Sequence, residues 1–296
     1  MKLTNRHNLP ESVYNLLSKD RYVGGNNTDY SVTTLLQPPR ITQLKRRHWD
    51  KLEEDVMDNV WSLFGSVAHS LLEEHGSDNA LSEERVYANI LDRNISGQVD
   101  SYHLDIITDY KVTSAWTLVY KSRLKEWEEQ LNMYAYLFKY NGHTVKELRI
   151  CAILRDWDKN TAKRDKNYPQ TPIVMIPIPL WTMEEQECFI YGRVVMHKDA
   201  ELMTDLSLPP CSEEDMWCQP TKFALMKKDG KRAIKLHDTT EEAELHLEQI
   251  DPCKMNRDIY EVRVRQGKRT RCEGYCSVCS FCNIYQAYLR EQECDV

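Results

Sequence analysis

Residues 97–111, GQVDSYHLDIITDYK, read as two short strands joined by a turn, with Asp100 closing the first and Asp109-Tyr110-Lys111 closing the second. Side chains alternate along a strand, so Asp109 and Lys111 point to one face, and Asp100, a hairpin away, can reach that face too. Two carboxylates and one ammonium converging at strand ends form the set that metal-assisted phosphodiester cleavage requires. Carboxylates hold a hard divalent cation through oxygen. The cation lowers the pKa of a bound water and neutralises charge building on the phosphorane. The lysine can position that water or offset charge on the scissile phosphate. Asp-x-Lys alone is common, and most such triplets are solvated strand ends. The apolar pair Ile106-Ile107 ahead of it and the Gly97…Asp100 turn upstream add weight to the chemical reading.

A chain of 296 residues suffices for one large domain or two small ones. Hydrophobic content of 41% with 29% charged residues belongs to a soluble globular protein. No apolar run approaches the ~18 residues of a membrane span, and MKLTNRHNLPES lacks the apolar centre of a signal peptide. A cytoplasmic protein without a membrane partner is expected. A net charge of −7 argues against a general nucleic-acid coat protein without excluding DNA as a substrate, because local basic patches can still bind phosphate. Arg40 to Arg47, Lys227 to Lys235 and Arg263 to Arg271 are such patches, each equally readable as a solvated face. Of ten cysteines none precedes Cys151, and four fall between Cys272 and Cys282. Clustered cysteines in an intracellular chain point to metal ligation more than to disulfides.

Residues 1–40 look irregular, with a turn signal at Gly24-Gly25-Asn26-Asn27, a short helix start at Thr33-Thr34 and a stop at Pro38-Pro39. From Ile41 to His75 apolar residues (Leu52, Val56, Val60, Leu63, Val67, Leu71) recur at three- and four-residue steps, predicting helix up to Gly76-Ser77-Asp78-Asn79. Strands are predicted at 85–91, 95–102, 104–112, 148–154, 173–178 and 259–264. Residues 123–141 form an amphipathic helix with Leu124, Trp127, Leu131, Tyr134 and Phe138 on one stripe, stopped by Gly142. Further helices are expected at 182–203, 241–249 and 283–292, with polar connections at 155–170 and 209–220. The order suits an α/β fold, a mixed central sheet flanked by helices. It divides into an N-terminal arm (1–48), a core with helical insertions (49–265) and a cysteine-rich tail packed beside it (266–296).

Other side chains could join the acidic pair. His69 lies four residues after Gly65, which leaves a side-chain-sized gap beside the imidazole, and imidazole is a reasonable ligand for Mn²⁺. It reads equally as a helix histidine satisfied by Glu73 at i+4. Gln130 and Tyr134 stand one helical turn apart. Tyr134 also fits plain core packing, while Gln130 at the stripe's edge could bond a phosphate or a base. Glu83 or Glu84, ahead of the strand at 85–91, could add a carboxylate or be surface charge.

In order, these pieces are G-x-x-x-H (Gly65, His69), G-x-x-D (Gly97, Asp100), D-x-K (Asp109, Lys111) and Q-x-x-x-Y (Gln130, Tyr134). The set resembles the RecB-like branch of the PD-(D/E)XK nuclease superfamily. Each motif is weak alone; four in sequence are fairly specific. Residues 148–157 look like the family's next element. The resemblance implies a restriction-endonuclease-like core and a Mg²⁺- or Mn²⁺-dependent DNA nuclease. It makes His69, Asp100 and Asp109 metal ligands, Lys111 the catalytic lysine, and Gln130 and Tyr134 residues that contact or orient DNA. The stretch SVTTLLQPPRITQLKRRHWD and the compact size look most like bacteriophage-encoded members, similar to the CRISPR-associated adaptation nucleases. Host cytoplasm would be the compartment in that case.

Some RecB-like nucleases also hold a 4Fe–4S cluster with one cysteine before the core and three after it. Here Cys272-x₃-Cys276-x₂-Cys279-x₂-Cys282 carries the C-x₂-C-x₂-C spacing of cluster proteins. No cysteine precedes the core, so Cys272, or a remote one such as Cys253, would be the fourth ligand. A four-thiolate Zn²⁺ site and simple reduced thiols stay open. The expected activity is that of a metal-dependent DNA exonuclease, since no base-reading module is evident. The rivals are a DNA-binding module with an inactive nuclease-like core and an interaction subunit, as homo-oligomer or beside a recombination protein.

Overall fold

The protein is described by a computed structural model covering residues 1–19, 27–75, 81–251 and 259–294. The turn at Gly24–Asn26, the stop at Gly76–Asn79 and Cys253 lie outside the described residues, as do the side chains of Glu73 and Glu83. The chain divides into two compact units, Met1–Leu208 and Pro209–Val296. Within the second unit, residues 222–227, 233–237 and 260–265 build a sheet of their own. No described helix is long and apolar enough to cross a membrane.

The first unit opens with β1 (Lys2–Thr4), α1 (Glu11–Ser18), β2 (Tyr30–Ser31), α2 (Val32–Leu36), α3 (Pro39–Arg47), β3 (Glu53–Asp55) and α4 (Val60–Glu74). Two expectations fail here. The described residues 1–19 and 27–40 carry regular elements beyond the short helix expected at Thr33-Thr34, since β1 pairs in parallel with β3 and the Ser31 hydroxyl caps α2 by accepting from Thr34 N. The helix expected from Ile41 to His75 is broken at 48–59. There Asp55 accepts from Arg6 N, Thr4 Oγ1 and Met57 N and forms a capping box with Asp58. Leu52 and Val56 are fully buried, but at the break rather than on a helical stripe.

Next come β4 (Leu81–Ile90), β5 (Arg93–His103), β6 (Ile106–Thr113), α5 (Ala115–Val119), α6 (Leu124–Tyr140), β7 (Glu147–Leu154), α7 (Lys159–Arg164), β8 (Ile173–Ile178) and α8 (Met183–Leu202). Two-residue turns join β4 to β5 and β5 to β6. Leu91-Asp92 and Leu104-Asp105 take positive φ at both central positions, as the twist of a tight hairpin demands. The six-stranded sheet is mixed. β5 runs antiparallel to β4 and β6 and parallel to β2, β6 runs parallel to β7, and β8 returns antiparallel.

α6 packs on β4 to β8 and against α8. The stripe predicted for it understates its burial, because every residue from Gln130 to Phe138 is inside. Its polar Asn132 is tolerated there because it donates to Glu128 O and Pro179 O and accepts from Trp181 N and Gln186 Nε2. Gly142, at φ +85°, ends the helix as expected.

The second unit contains β9 (Cys218–Gln219), β10 (Lys222–Lys227), β11 (Ala233–His237), α9 (Thr240–Ile250), β12 (Tyr260–Arg265), β13 (Lys268–Arg269), α10 (Thr270–Gly274) and α11 (Asn283–Cys294). An antiparallel sheet of order β11-β10-β12 carries α9 on one side, and β9 pairs with β13.

Candidate active site

The ladder between β5 and β6 is short. It joins His103 to Ile106, Tyr102 to Ile107 and Ser101 to Thr108, and there it stops. A side chain takes over, as Tyr110 N–H donates to Asp100 Oδ2 at 2.7 Å. Asp100 therefore sits inside β5 at the point where the strands part, not at a strand end. Beyond the parting β6 continues beside β7, pairing Asp109 with Ile150 and Lys111 with Ala152. The alternation predicted for Asp109 and Lys111 holds, since Lys111 Nζ lies 2.7 Å from Asp109 Oδ2.

His69 reaches the same place from α4. Its Nδ1 is 3.1 Å from Asp100 Oδ1 and its Nε2 is 3.0 Å from Tyr110 O. Carboxylate and carbonyl oxygens accept, so both ring nitrogens are placed to donate, an arrangement that favours the protonated ring. The hydrogen bond to Asp100 accordingly holds the His69 pKa above its ordinary value, against the opposing effect of burial. As placed, His69 clamps Asp100 to the backbone of β6, with neither nitrogen free for a metal. A Cβ added at Gly65 would meet nothing within 4 Å, so the gap expected there exists.

Burial pushes Asp109 up to about 6, with the Asp100 carboxylate adding to the rise and the Lys111 ammonium opposing it. The site thus holds a buried carboxylate that is costly to ionise beside a single ammonium. Among the described residues no group of three His, Cys, Asp or Glu side chains stands close enough together to hold a metal ion.

Gln130 and Tyr134 lie elsewhere. They are buried on α6 and bonded to each other, Gln130 Nε2 to Tyr134 Oη at 2.9 Å. Tyr134 packs on Gly97, where a Cβ would stand 2.8 Å from both Tyr134 Cδ1 and Leu137 Cδ1. Gly97 is therefore not a turn but a close approach of helix to strand, three residues from Asp100. Glu84 lies within β4, opposite Val99, rather than ahead of the strand. The basic run on α3 is largely engaged in packing. Arg40 is buried and bonded to Leu208 O, Arg46 lies over the Tyr30 ring, and Arg47 pairs with Asp205.

In the second unit Cys272 lies on α10, and Cys276, Cys279 and Cys282 follow in a tight succession. Cys279 N donates to Cys276 O and Cys282 N to Cys279 O. The eight described cysteines are free thiols. Cys211 is the residue that sequence spacing missed. Burial pushes its thiol up to about 12, and Asp215, Cys282 and Cys276 act in the same direction. Burial likewise raises Cys272 to about 11, with Cys276 and Cys282 contributing. Cys211 follows Pro209-Pro210 in an irregular connection, where no spacing could mark it. Tyr110 was missed for another reason, since both its N–H and its carbonyl serve the site through the backbone.

No family model matches the chain, and no curated protein matches it. Solved structures similar to it include the following two. The crystal structure of SSO0001 is 18% identical over 63% of this chain and 84% of its own, with a TM-score of 0.41. A proposed exonuclease from Eubacterium rectale is 12% identical over 54% of this chain and 62% of its own, with a TM-score of 0.32.

Proposed function

We propose that this chain is a divalent-metal-dependent DNA nuclease with a restriction-endonuclease-like core, of the RecB-like branch of the PD-(D/E)XK superfamily, acting as an exonuclease. The observation that carries the reading is the parting of β5 and β6, where Asp100, Asp109, Lys111 and His69 meet. The buried Asp109 Oδ2 already attracts one cation, the Lys111 ammonium at 2.7 Å, and carboxylate oxygens of this kind hold hard divalent ions. Asp100 and Asp109 would hold Mg²⁺ or Mn²⁺, joined by His69 once the ring has lost a proton. The cation would supply Lewis-acid stabilisation of the phosphate.

The protein's own groups have separate tasks. Lys111 places one positive charge where negative charge builds on the scissile phosphate. His69, bridging Asp100 and Tyr110 O, fixes the carboxylate against β6. Tyr134, seated on Gly97, sets the height of α6 behind the strand that carries Asp100, so Gln130 and Tyr134 position the site rather than touch the substrate. We also propose that Cys272, Cys276, Cys279 and Cys282, with Cys211 as a further candidate, take up an iron–sulfur cluster or Zn²⁺; half-buried free thiols at C-x₂-C-x₂-C spacing suit a soft metal.

The test is cleavage of end-labelled single- and double-stranded linear DNA and of a closed circle, with Mn²⁺, Mg²⁺ or EDTA. Metal-dependent loss of linear DNA with the circle spared is expected. Lys111→Ala should slow cleavage by roughly a hundredfold or more. No cleavage with either metal, or an unchanged rate in Lys111→Ala, sinks the proposal.

A further inference from the structure

Two pairs of aromatic side chains are left in solvent near the C-terminal ends of β6 and β7. On α4, Trp61 and Phe64 are 60% and 54% exposed, with ring centroids 5.9 Å apart. On the helix that follows β6, Trp116 and Tyr120 are 44% and 72% exposed and stack at 5.8 Å with planes 22° apart. Arg155 joins the two places. Its guanidinium lies over the Trp61 ring, 4.3 Å from the centroid, and its backbone N–H donates to Thr113 O, one residue before the Ser114 cap of α5. Asp156 then bonds both Ser114 Oγ and Ala115 N, which fixes the start of the helix that carries Trp116.

This surface adjoins the cluster already described. Trp61 and Phe64 precede His69 by eight and five residues on one helix, so they stand about 12 and 8 Å from it along the axis. Lys111 lies two residues before Thr113 on β6. The charge is also right for a polyanion. From Arg155 to Lys166 five basic residues face three acidic ones, in a chain whose net charge is −7. Planar rings in pairs, an arginine laid on one of them and a local cationic excess are what unpaired bases and their phosphates require. A paired base hides its face in the stack and cannot use such rings.

We propose that Trp61 and Phe64, with Arg155, form a stacking platform that receives unpaired bases of the DNA strand entering the site. The proposal rests on the nuclease reading and assigns that site a preference for strands with unpaired ends. Trp116 and Tyr120 offer a second pair of rings on the other side of Arg155.

The test is fluorescence anisotropy in EDTA, where no cleavage occurs, with labelled oligo(dT) and a labelled blunt duplex. The full chain is compared with the Trp61→Ala/Phe64→Ala variant and with Trp61→Phe. Losing two base stacks should weaken oligo(dT) binding by roughly thirtyfold or more. The blunt duplex should change by less than about twofold, and Trp61→Phe should retain most of the single-strand affinity because it keeps a ring. Circular dichroism checks that the variants fold, as expected for side chains more than half exposed. Single-strand affinity that ignores the double substitution, or an equal loss on the duplex, overturns the platform alone. Failure of the full chain to bind either DNA likewise overturns the platform, while cleavage with Mn²⁺ or Mg²⁺ separately tests the nuclease reading beneath it.

Discussion

Asp109 shows how one residue serves chemistry against stability. Its pKa is raised from the ordinary 3.8 to about 6, first by burial. Well below pH 4 it is protonated in folded and unfolded chains alike. Between about 4 and 6 the unfolded chain has lost this proton and the folded chain still holds it, so stability falls as the pH rises through that window. Above it the cost of burying the charge is complete, on the order of 3 kcal/mol. Asp109→Asn should therefore melt higher than the natural chain at pH 7.5 in EDTA, and the gain should vanish at pH 4. A variant that melts lower at pH 7.5 would show that the Lys111 ion pair outweighs desolvation. This residue and Lys111 were legible in sequence because strand alternation is local. The state of His69 was not. Its two partners come from β5 and β6, 31 and 41 residues away, and only their joint placement makes both nitrogens donors.

At the scale of elements, the two strands of the β5–β6 hairpin are readable from apolar alternation, which needs no distant partner, but the turn at Leu104-Asp105 falls where the second strand is expected to begin. What periodicity misjudged was the use of Gly97. A glycine ahead of an aspartate reads as a turn, yet here it lies inside β5 and admits α6. Gly97→Ala would drive a methyl into Tyr134 and Leu137 at 2.8 Å. The expected outcome is a loss of about 1–3 kcal/mol in urea unfolding, with a drop in cleavage larger than the lost stability explains, because Tyr134 and β5 must shift together. Unchanged stability would mean that the helix is free to move, and that Tyr134 does not set the position of the site. The helix predicted across 41–75 failed for a related reason. Leu52 and Val56 keep helical spacing with their neighbours, but Asp55 draws in Arg6 and Thr4 from some 50 residues away, and those bonds break the helix.

The whole molecule is two units, and the cysteines from Cys211 onward belong to the second. Cys211, from an irregular connection, and Cys276 and Cys282, ahead of the last helix, become electrostatic neighbours only through folding. If these thiols hold metal, chain purified without oxygen should contain iron with sulfide, or zinc, and Cys276→Ala should lose it. Removing the metal should lower the melting temperature, because the site would tie together segments about 60 residues apart in the chain. Chain that carries neither element, and melts identically with and without chelator, refutes the thiol-site proposal. By itself the sequence determined the strands and helices of the sheet, the Asp109–Lys111 pair and the clustering of the last cysteines, because periodicity, turn chemistry and short spacing act between near neighbours. The tertiary structure alone decided where β5 and β6 part, that His69 clamps Asp100, that Gln130 and Tyr134 sit behind the site and that Cys211 joins the late thiols. Each of these depends on burial and on partners dozens of residues away, and neither is written in local pattern.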